Sequence, residues 1–480
     1  MSNQYDVVII GGGIVGLSIL HSALIAGYDA VLLERNPDLC DGASGRNSGI
    51  LCTGVDAPLG SLERALIRDS ISRIRHFCKE HNVPMRECGS LICLWPWDDN
   101  DEAKLNEVLH ESQMAGDSDV KLLSPREVND IESSISTKCK GAVHIPGEIV
   151  VDPWLFALAL ATHCRAIGKY SGRNKEVIQT GRVAVLQSTW SCFDKSGGEH
   201  GLWKLETVGS DENFYFEASC LINAAGIDSD LLQSIGSSHI GTLPSPKFSA
   251  LPRRGQYAVF SPCKTSTNNY GKLSALPAPI PTRPIQPIPS HFTKGIFVYS
   301  TLYDQLVIGP TAKDQSSRTD DVSEACVRNE LTAHASRIMR SNHFDDDYKL
   351  VGEYVGIRPG TNKRDYQIHL YHRSNFITVG GIRSTGLTAS LGIGRHVVQC
   401  LLSTILPPKD IVETPSSEEV RRIAKLPDVK DLVKHYHERG DGTIVVDGYV
   451  YKVTHPLTKL GWDARTGLAA ESCFDHVPPT

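Results

Sequence analysis

An excess of positive charge is the first thing missing from this chain of 480 residues. Its 49 lysines and arginines stand against 55 acids, a formal net charge of −6. Without a basic surplus there is no electrostatic footprint for a nucleic acid, so no such partner is expected. Long apolar runs are missing too. No stretch approaches the roughly 18 unbroken apolar residues of a membrane span, and no integral membrane segment is expected. The opening Met1-Ser2-Asn3-Gln4-Tyr5-Asp6 has no basic segment, and the closing Pro478-Pro479-Thr480 carries no prenylation or retention signal. The expected compartment is reducing and cytoplasmic. Thirteen cysteines include no C-x-x-C, and the closest pair, Cys88 and Cys93, is flanked by apolar residues. Scattered in this way they read as small buried hydrophobes, so no metal site is expected. No internal repeat is found.

What is present describes a globular protein with a large core. Hydrophobic residues make up 40% and charged residues 22%, enough chain for two or three structural units. The most informative segment comes first. Gly11-Gly12-Gly13-Ile14-Val15-Gly16 follows the apolar strand Val7 to Ile10 and opens a helix that ends at Gly27. The chain returns as Ala30-Val31-Leu32-Leu33 and finishes on Glu34. This is a complete βαβ dinucleotide fingerprint. Gly11 allows the tight turn, Gly13 lets backbone approach a pyrophosphate, and Gly16 lets helix and strand pack closely. The pyrophosphate belongs at the positive end of the helix. Glu34 is placed to accept hydrogen bonds from ribose hydroxyls.

Further along, apolar residues at helical spacing predict a helix from about Ser61 to His81. Ser124-Pro125-Arg126-Glu127 is a capping-box helix start, and Asp152-Pro153 leads into a helix from Trp154 to Ala166 that stops at Gly168. Cys220 to Gly226 reads as a buried strand turning on small residues. The six prolines from Pro277 to Pro289 make Leu276 to Pro289 a loop or extended excursion rather than a packed element. Strands are predicted at Val351 to Pro359 and Phe376 to Gly381, and the last helix of the main body at Leu391 to Leu402. Beyond residue 406 come a charged helix, Ser416 to Lys425, and a hairpin turning on Asp447-Gly448.

The fingerprint alone leaves NAD and FAD open. Three more glycine-rich stretches, near residues 45, 226 and 381, make a long contact list that fits FAD. Together these segments resemble the D-amino-acid oxidase/glycerol-3-phosphate dehydrogenase superfamily of FAD-dependent oxidoreductases. The likeness covers about residues 5 to 405 and is greatest to the anaerobic-type glycerol-3-phosphate dehydrogenase and L-2-hydroxyglutarate dehydrogenase branch. Gly42-Ala43-Ser44-Gly45-Arg46-Asn47-Ser48-Gly49 resembles the segment that wraps the flavin pyrophosphate and ring edge. The resemblance puts Glu34 and Arg35 at the adenosine end. Val183 matches the position whose backbone pairs with adenine, and Asn223-Ala224-Ala225-Gly226 matches a turn close to the dinucleotide. Gly309-Pro310-Thr311-Ala312 resembles a signature of the branch. Gly380-Gly381-Ile382-Arg383-Ser384-Thr385-Gly386-Leu387-Thr388 resembles the stretch whose N–H groups face the flavin pyrimidine, where reduced flavin is negative. Taken alone, that last stretch also reads as a plain helix-start loop.

On the substrate side the resemblance implies that Arg358, in Gly356-Ile357-Arg358-Pro359, holds a carboxylate or phosphate. Its planar fork suits either anion. The competing reading is a surface salt bridge. Arg383 and Ser384 are further candidates. Lys294 matches a basic position near the substrate, and equally reads as a solvated loop lysine. One departure stands out: relatives often carry a proton-accepting histidine where this chain has Cys52. A thiol is a poor base at neutral pH. Either another base exists or the substrate is an amine, which needs none. His291 and His369 are candidates to enter the site from the other domain, each reading more readily as a structural histidine, and no base is assigned.

The expected fold is α/β: a doubly wound FAD-binding domain (residues 1–90, 145–230 and 350–405), a mixed β-sheet substrate domain (91–144 and 231–349) and a small C-terminal appendage (406–480). The expected function is FAD-dependent oxidation of a small anionic substrate, glycerol 3-phosphate or a 2-hydroxy acid, by hydride transfer. The alternatives are an amine or amino-acid oxidase and a non-catalytic flavin-binding protein. The electron acceptor stays open among oxygen, quinone and a partner flavoprotein.

Overall fold

The computed structural model describes residues 3–98, 101–170, 176–181, 183–193, 199–208, 214–240, 243–263, 266–267, 273–274, 278–289, 295–341, 343–407 and 425–465. Lys294, His291 and the expected helix from Ser416 lie outside these residues, apart from Lys425.

Two sheets organise the chain. The first is built on β1 (Asn3–Ile10), α1 (Ile14–Ile25) and β2 (Ala30–Leu33). β1 lies between β2 and the strand Phe214–Asn223 and runs parallel to both. Ile178–Gln179 continues the sheet beyond β2. The far edge of Phe214–Asn223 is shared, antiparallel with Glu199–Val208 and parallel with Phe376–Gly380. Val7, Val8, Ile9 and β2 are fully buried, as continuous apolar runs in a parallel sheet covered on both faces require.

α1 is apolar all round and sits between the helices Pro153–Tyr170 and Gly386–Arg395. Leu62–Glu80 packs on the outer side of Gly386–Arg395. Two glycines permit this close stack. A Cβ on Gly394 would come within 2.3 Å of Ser18 O, and one on Gly392 within 2.3 Å of Leu66 O.

The second sheet is mixed. Its order runs Lys313–Asp314, Ala250–Pro262, Leu306–Gly309, Phe297–Ser300, Ile285–Pro287, Ser90–Leu94, Gly141–Ile145 and Lys121–Leu123, with Tyr348–Thr361 also paired to Ala250–Pro262. This corrects the reading of Leu276 to Pro289 as unpacked. Ile285–Pro287 is an interior strand, parallel to Ser90–Leu94, and Ile285 is fully buried. Proline lacks a donor but keeps its carbonyl, and Leu91 N donates to Pro284 O at 2.9 Å.

Two helix boundaries also differ. Pro153–Tyr170 runs through Gly168, and the last main-body helix begins at Gly386, not Leu391, before ending in the π-helical turn His396–Leu401. The hairpin forms as Thr443–Val446 and Tyr449–Lys452, with Asp447 and Gly448 at φ 51° and 83° in the primed turn. Leu432, Val433, Tyr436 and Trp462 join the same buried cluster as Val7 and Ile9.

Candidate active site and cofactor cleft

After Ile10 the chain has three residues in which to turn into α1. Gly11 sits at φ 115°, and a Cβ there would come within 2.4 Å of Ala224 O. A Cβ on Gly16 would come within 1.9 Å of Gly11 O, so strand and helix touch backbone to backbone. Gly13 faces Ser44, whose Oγ accepts from Ile14 N at 3.0 Å. The first turn of α1 carries no acid. It opens onto a cavity of about 690 Å³ that runs between the two sheets.

This cavity gathers most of the predicted residues. Gly11, Gly13, Ile14 and Val15 line one wall, with Glu34 and Arg35 at the β2 end and Ala225 and Gly226 beside them. Ser44, Arg46, Asn47 and Ser48 line a flank. Arg383, Ser384, Gly386 and Leu387 bring in a second helix N-terminus, also without an acid in its first turn. Arg358 enters from the second sheet. Others stand behind the wall. Gly16 and Gly49 serve close packing, and a Cβ on Gly49 would meet Val151 O at 2.7 Å. Gly381 turns the chain at φ 67°. The Thr388 hydroxyl is occupied by Cys52 N at 3.1 Å. Val183 begins the strand Val183–Phe193, two residues past Gly181, whose N–H donates to Asn36 O at 2.8 Å. His369 does not reach the cavity and bonds Gln367 at 3.2 Å.

Charge on the walls is unevenly paired. Both Glu34 oxygens accept backbone N–H, Gly12 at 2.5 Å and Asn36 at 2.9 Å, while a carboxylate keeps further lone pairs for hydroxyl donors. Arg35 pairs with Asp228 at 2.9 Å. Arg46 donates to Gly45 O and Thr454 O, both at 3.0 Å. Arg383 pairs with buried Glu63 at 2.8 Å, and Thr385 donates to the other Glu63 oxygen at 2.6 Å. Tyr366 bonds Thr385 at 2.6 Å, and burial beside Glu63 pushes its phenol well above the ordinary range.

Arg358 differs. No carboxylate among the described residues forms an ion pair with it. One Nη2 donates to the carbonyls of Thr311 and Arg254. Gly255 makes its room, since a Cβ there would come within 2.6 Å of Arg358 Nη2. It lines the cavity, and desolvation lowers its pKa from the ordinary arginine value. Tyr257, stacked on Tyr354 at 4.4 Å, also lines the cavity. Burial pushes its phenol up to about 12 against the pull of Arg358, so it stays protonated at neutral pH.

Sequence reasoning missed Glu63, Glu148, Gly255, Tyr257 and Gln286. Each is solitary in its own segment and far in sequence from the residue it touches. A glycine cradle that a Cβ would fill, two acid-free helix N-termini and a carboxylate ending β2 together fit an adenine dinucleotide.

A doubly wound sheet, a mixed sheet facing it and a dinucleotide cleft between them describe a cofactor-dependent enzyme of redox chemistry. The family described as FAD dependent oxidoreductase (DAO) matches residues 6–400, and the chain belongs to it. FAD is its cofactor. Similar proteins include the glycerol 3-phosphate dehydrogenase of Caloramator mitchellensis, 25% identical over 399 residues, which cover 83% of this chain and 74% of that one. A mitochondrial L-2-hydroxyglutarate dehydrogenase of Nematostella vectensis is 29% identical over 300 residues, 61% of this chain and 60% of that one. Among solved structures, the dithionite-reduced L-alpha-glycerophosphate oxidase of Mycoplasma pneumoniae with FAD bound shares the fold. Its TM-score is 0.64 at 22% identity, covering 83% of this chain and 95% of that one. No described helix is long and apolar enough to cross a membrane.

Proposed function

We propose that this FAD-dependent oxidoreductase oxidises the hydroxyl-bearing carbon of a small anionic substrate, glycerol 3-phosphate or a 2-hydroxy acid. The observation that carries the proposal is Arg358. It is a cation on the cavity wall without an acidic partner among the described residues, and Gly255 leaves it space. A charged arginine held by two carbonyls keeps Nε and Nη1 for a phosphate or carboxylate. The names of the similar dehydrogenases support the same substrate class.

FAD, when bound, supplies the two-electron acceptor that takes hydride from carbon. Gly11, Gly13, Ile14, Val15, Ser44, Asn47, Ser48, Ala225 and Gly226 would hold its phosphates and ribose, with Glu34 and Arg35 at the adenosine end. Ser384, Gly386 and Leu387 would present N–H groups where negative charge accumulates on reduction. Arg383, already neutralised by Glu63, orders that loop and is the weaker anion anchor. Tyr257 donates its phenol proton towards a substrate oxygen next to Arg358.

Anaerobic bleaching of the bound flavin tests this. The holoprotein is mixed with glycerol 3-phosphate, L-2-hydroxyglutarate, lactate, amino acids and secondary amines in turn. Fast bleaching by a hydroxy compound is expected. Bleaching by amines alone would make it an amine oxidase of this fold, and no bleaching at all would leave a flavin-binding protein without turnover. Reoxidation of the bleached protein by oxygen or by a quinone then separates the acceptors.

A further inference from the structure

Alcohol oxidation needs a proton acceptor, and among the described residues lining the cavity there is no histidine. Tyr257 stays protonated. Of the acids on the wall, Glu34 is tied to backbone, Asp228 to Arg35 and Asp41 to Arg46, and Asp321 is exposed. Glu148 differs in position. It borders the cavity from the side of the second sheet and is almost fully buried.

Two registers place it. Ile50–Leu51 pairs antiparallel with Ile149–Val151 as Ile50↔Val150 and Leu51↔Ile149. One step further along the same register sets Glu148 across from Cys52, and both residues border the cavity. In the second sheet Phe297 stands opposite Gly309, and Ile285 opposite Val298. Phe297 and Gln286 therefore share a row and a face, and both reach the cavity. Gln286 Nε2 donates to Glu148 Oε2 at 2.7 Å. The amide orients one carboxylate oxygen, and its N–H opposes the burial that disfavours a charged carboxylate. Cys88 neighbours Glu148, with Arg86 and Arg283 beyond it, and burial keeps the Cys88 thiol protonated.

We propose that Glu148 is the catalytic base and that Gln286 positions it; the inference rests on the alcohol reading above. The substrate O–H bond breaks and its proton goes to a Glu148 oxygen. The C–H electron pair leaves as hydride and reduces the bound FAD, and the carbon–oxygen bond becomes a carbonyl.

The test compares the wild-type holoprotein with Glu148→Gln, both checked for bound FAD by absorbance. Anaerobic bleaching by glycerol 3-phosphate and L-2-hydroxyglutarate is followed from pH 5.5 to 9. Binding of the corresponding carbonyl compounds, which have no proton to give, is titrated through the flavin spectrum. Loss of a general base slows the step on the order of 100-fold or more. The variant should lose that much and also lose the rise of rate with pH, while carbonyl binding stays within about threefold. Gln286→Leu keeps the carboxylate, removes its donor, and should move the rising limb to higher pH. Bleaching of Glu148→Gln at near wild-type rate with the wild-type pH profile overturns the proposal and leaves the alcohol reading standing. If Glu148→Gln does not hold FAD, an unmoved limb in Gln286→Leu overturns it instead. Wild-type protein bleached by amines alone overturns both readings.

Discussion

Gly16→Ala tests how tightly the cofactor turn is built. The new Cβ would come within 1.9 Å of Gly11 O, where real Cβ contacts stay beyond 3.0 Å. A methyl has no rotamer to escape into, so α1 must retreat from the turn by about 1 Å or the turn must open by as much. Neither side is free to move. Gly11 is held against Ala224, and the far side of α1 meets Gly394, with no room for even a Cβ there. Overpacking of this kind costs about 1–3 kcal/mol. For a chain of this size that is a fall in Tm of about 1–3 °C. The same displacement draws the α1 N–H groups away from the pyrophosphate position. The assays are Tm with excess FAD and the flavin-to-protein absorbance ratio after gel filtration. The variant should fall in both. Full FAD content with an unchanged Tm would refute the argument that Gly16 sets the strand–helix distance.

Replacing Arg358 by Leu should raise KM for glycerol 3-phosphate on the order of 100-fold. Charge-assisted bonds contribute about 1.5–3 kcal/mol each. Arg358→Lys should recover part of the loss, and equal KM values in steady-state kinetics would remove Arg358 as anion anchor. Arg383→Leu should act mainly on stability, because it strands the buried Glu63 carboxylate. A Tm drop of several degrees with KM changed less than threefold is expected, and the reverse pattern would make Arg383 the anchor. Burial pulls His21 down to about 3, and burial beside Arg46 pulls His455 down to about 3. Unfolded, both return to about 6.5, so the native state binds fewer protons and stability is full only above that pH. It should fall as pH drops, by about 2 kcal/mol for each histidine at pH 5. Thermal melts of wild type and His21→Gln from pH 8 to 5 check this. A wild-type curve no steeper than the variant's would refute it.

The parts of the site that are continuous in sequence were legible. Gly11 to Gly16, Glu34 and the Gly42–Gly49 stretch lie within one supersecondary unit, so each spacing reports a local backbone requirement. The Ser124 capping box and the Asp447-Gly448 turn were legible for the same reason, each closing on itself within a few residues. What sequence reasoning missed is made of pairs far apart in the chain. Glu63 and Arg383 are separated by 320 positions, and Glu148 and Gln286 by 138. Neither acid announces burial, because each stands in a segment whose neighbours satisfy a helix or strand pattern without it. Ile285–Pro287 was missed through composition. Proline density argued against a packed strand, yet a proline keeps its carbonyl, and Pro284 O accepts from Leu91 N of the neighbouring strand.

The C-terminal segment joins the two sheets more firmly than its late position suggests. Asp152 caps the helix Pro153–Tyr170 through Trp154 N at 2.9 Å and Leu155 N at 2.8 Å. The same buried carboxylate accepts from Tyr303, in a turn of the second sheet, at 2.5 Å, and from Thr458 at 2.9 Å. Trp462 Nε1 closes the knot on Tyr303 at 2.9 Å, and Gly461 has no Cβ because Tyr303 lies 2.3 Å from where it would be. One carboxylate thus fixes three parts of the chain, and desolvation raises its pKa even with four donors around it. Upstream of this knot, Thr454 O accepts from Arg46, inside the loop that flanks the cofactor cleft. Residues 425–465 therefore bond both the Arg46 loop, through Thr454, and, through Thr458 and Trp462, the buried Asp152 carboxylate and Tyr303, so that the first-sheet loop and the second sheet share one buried carboxylate.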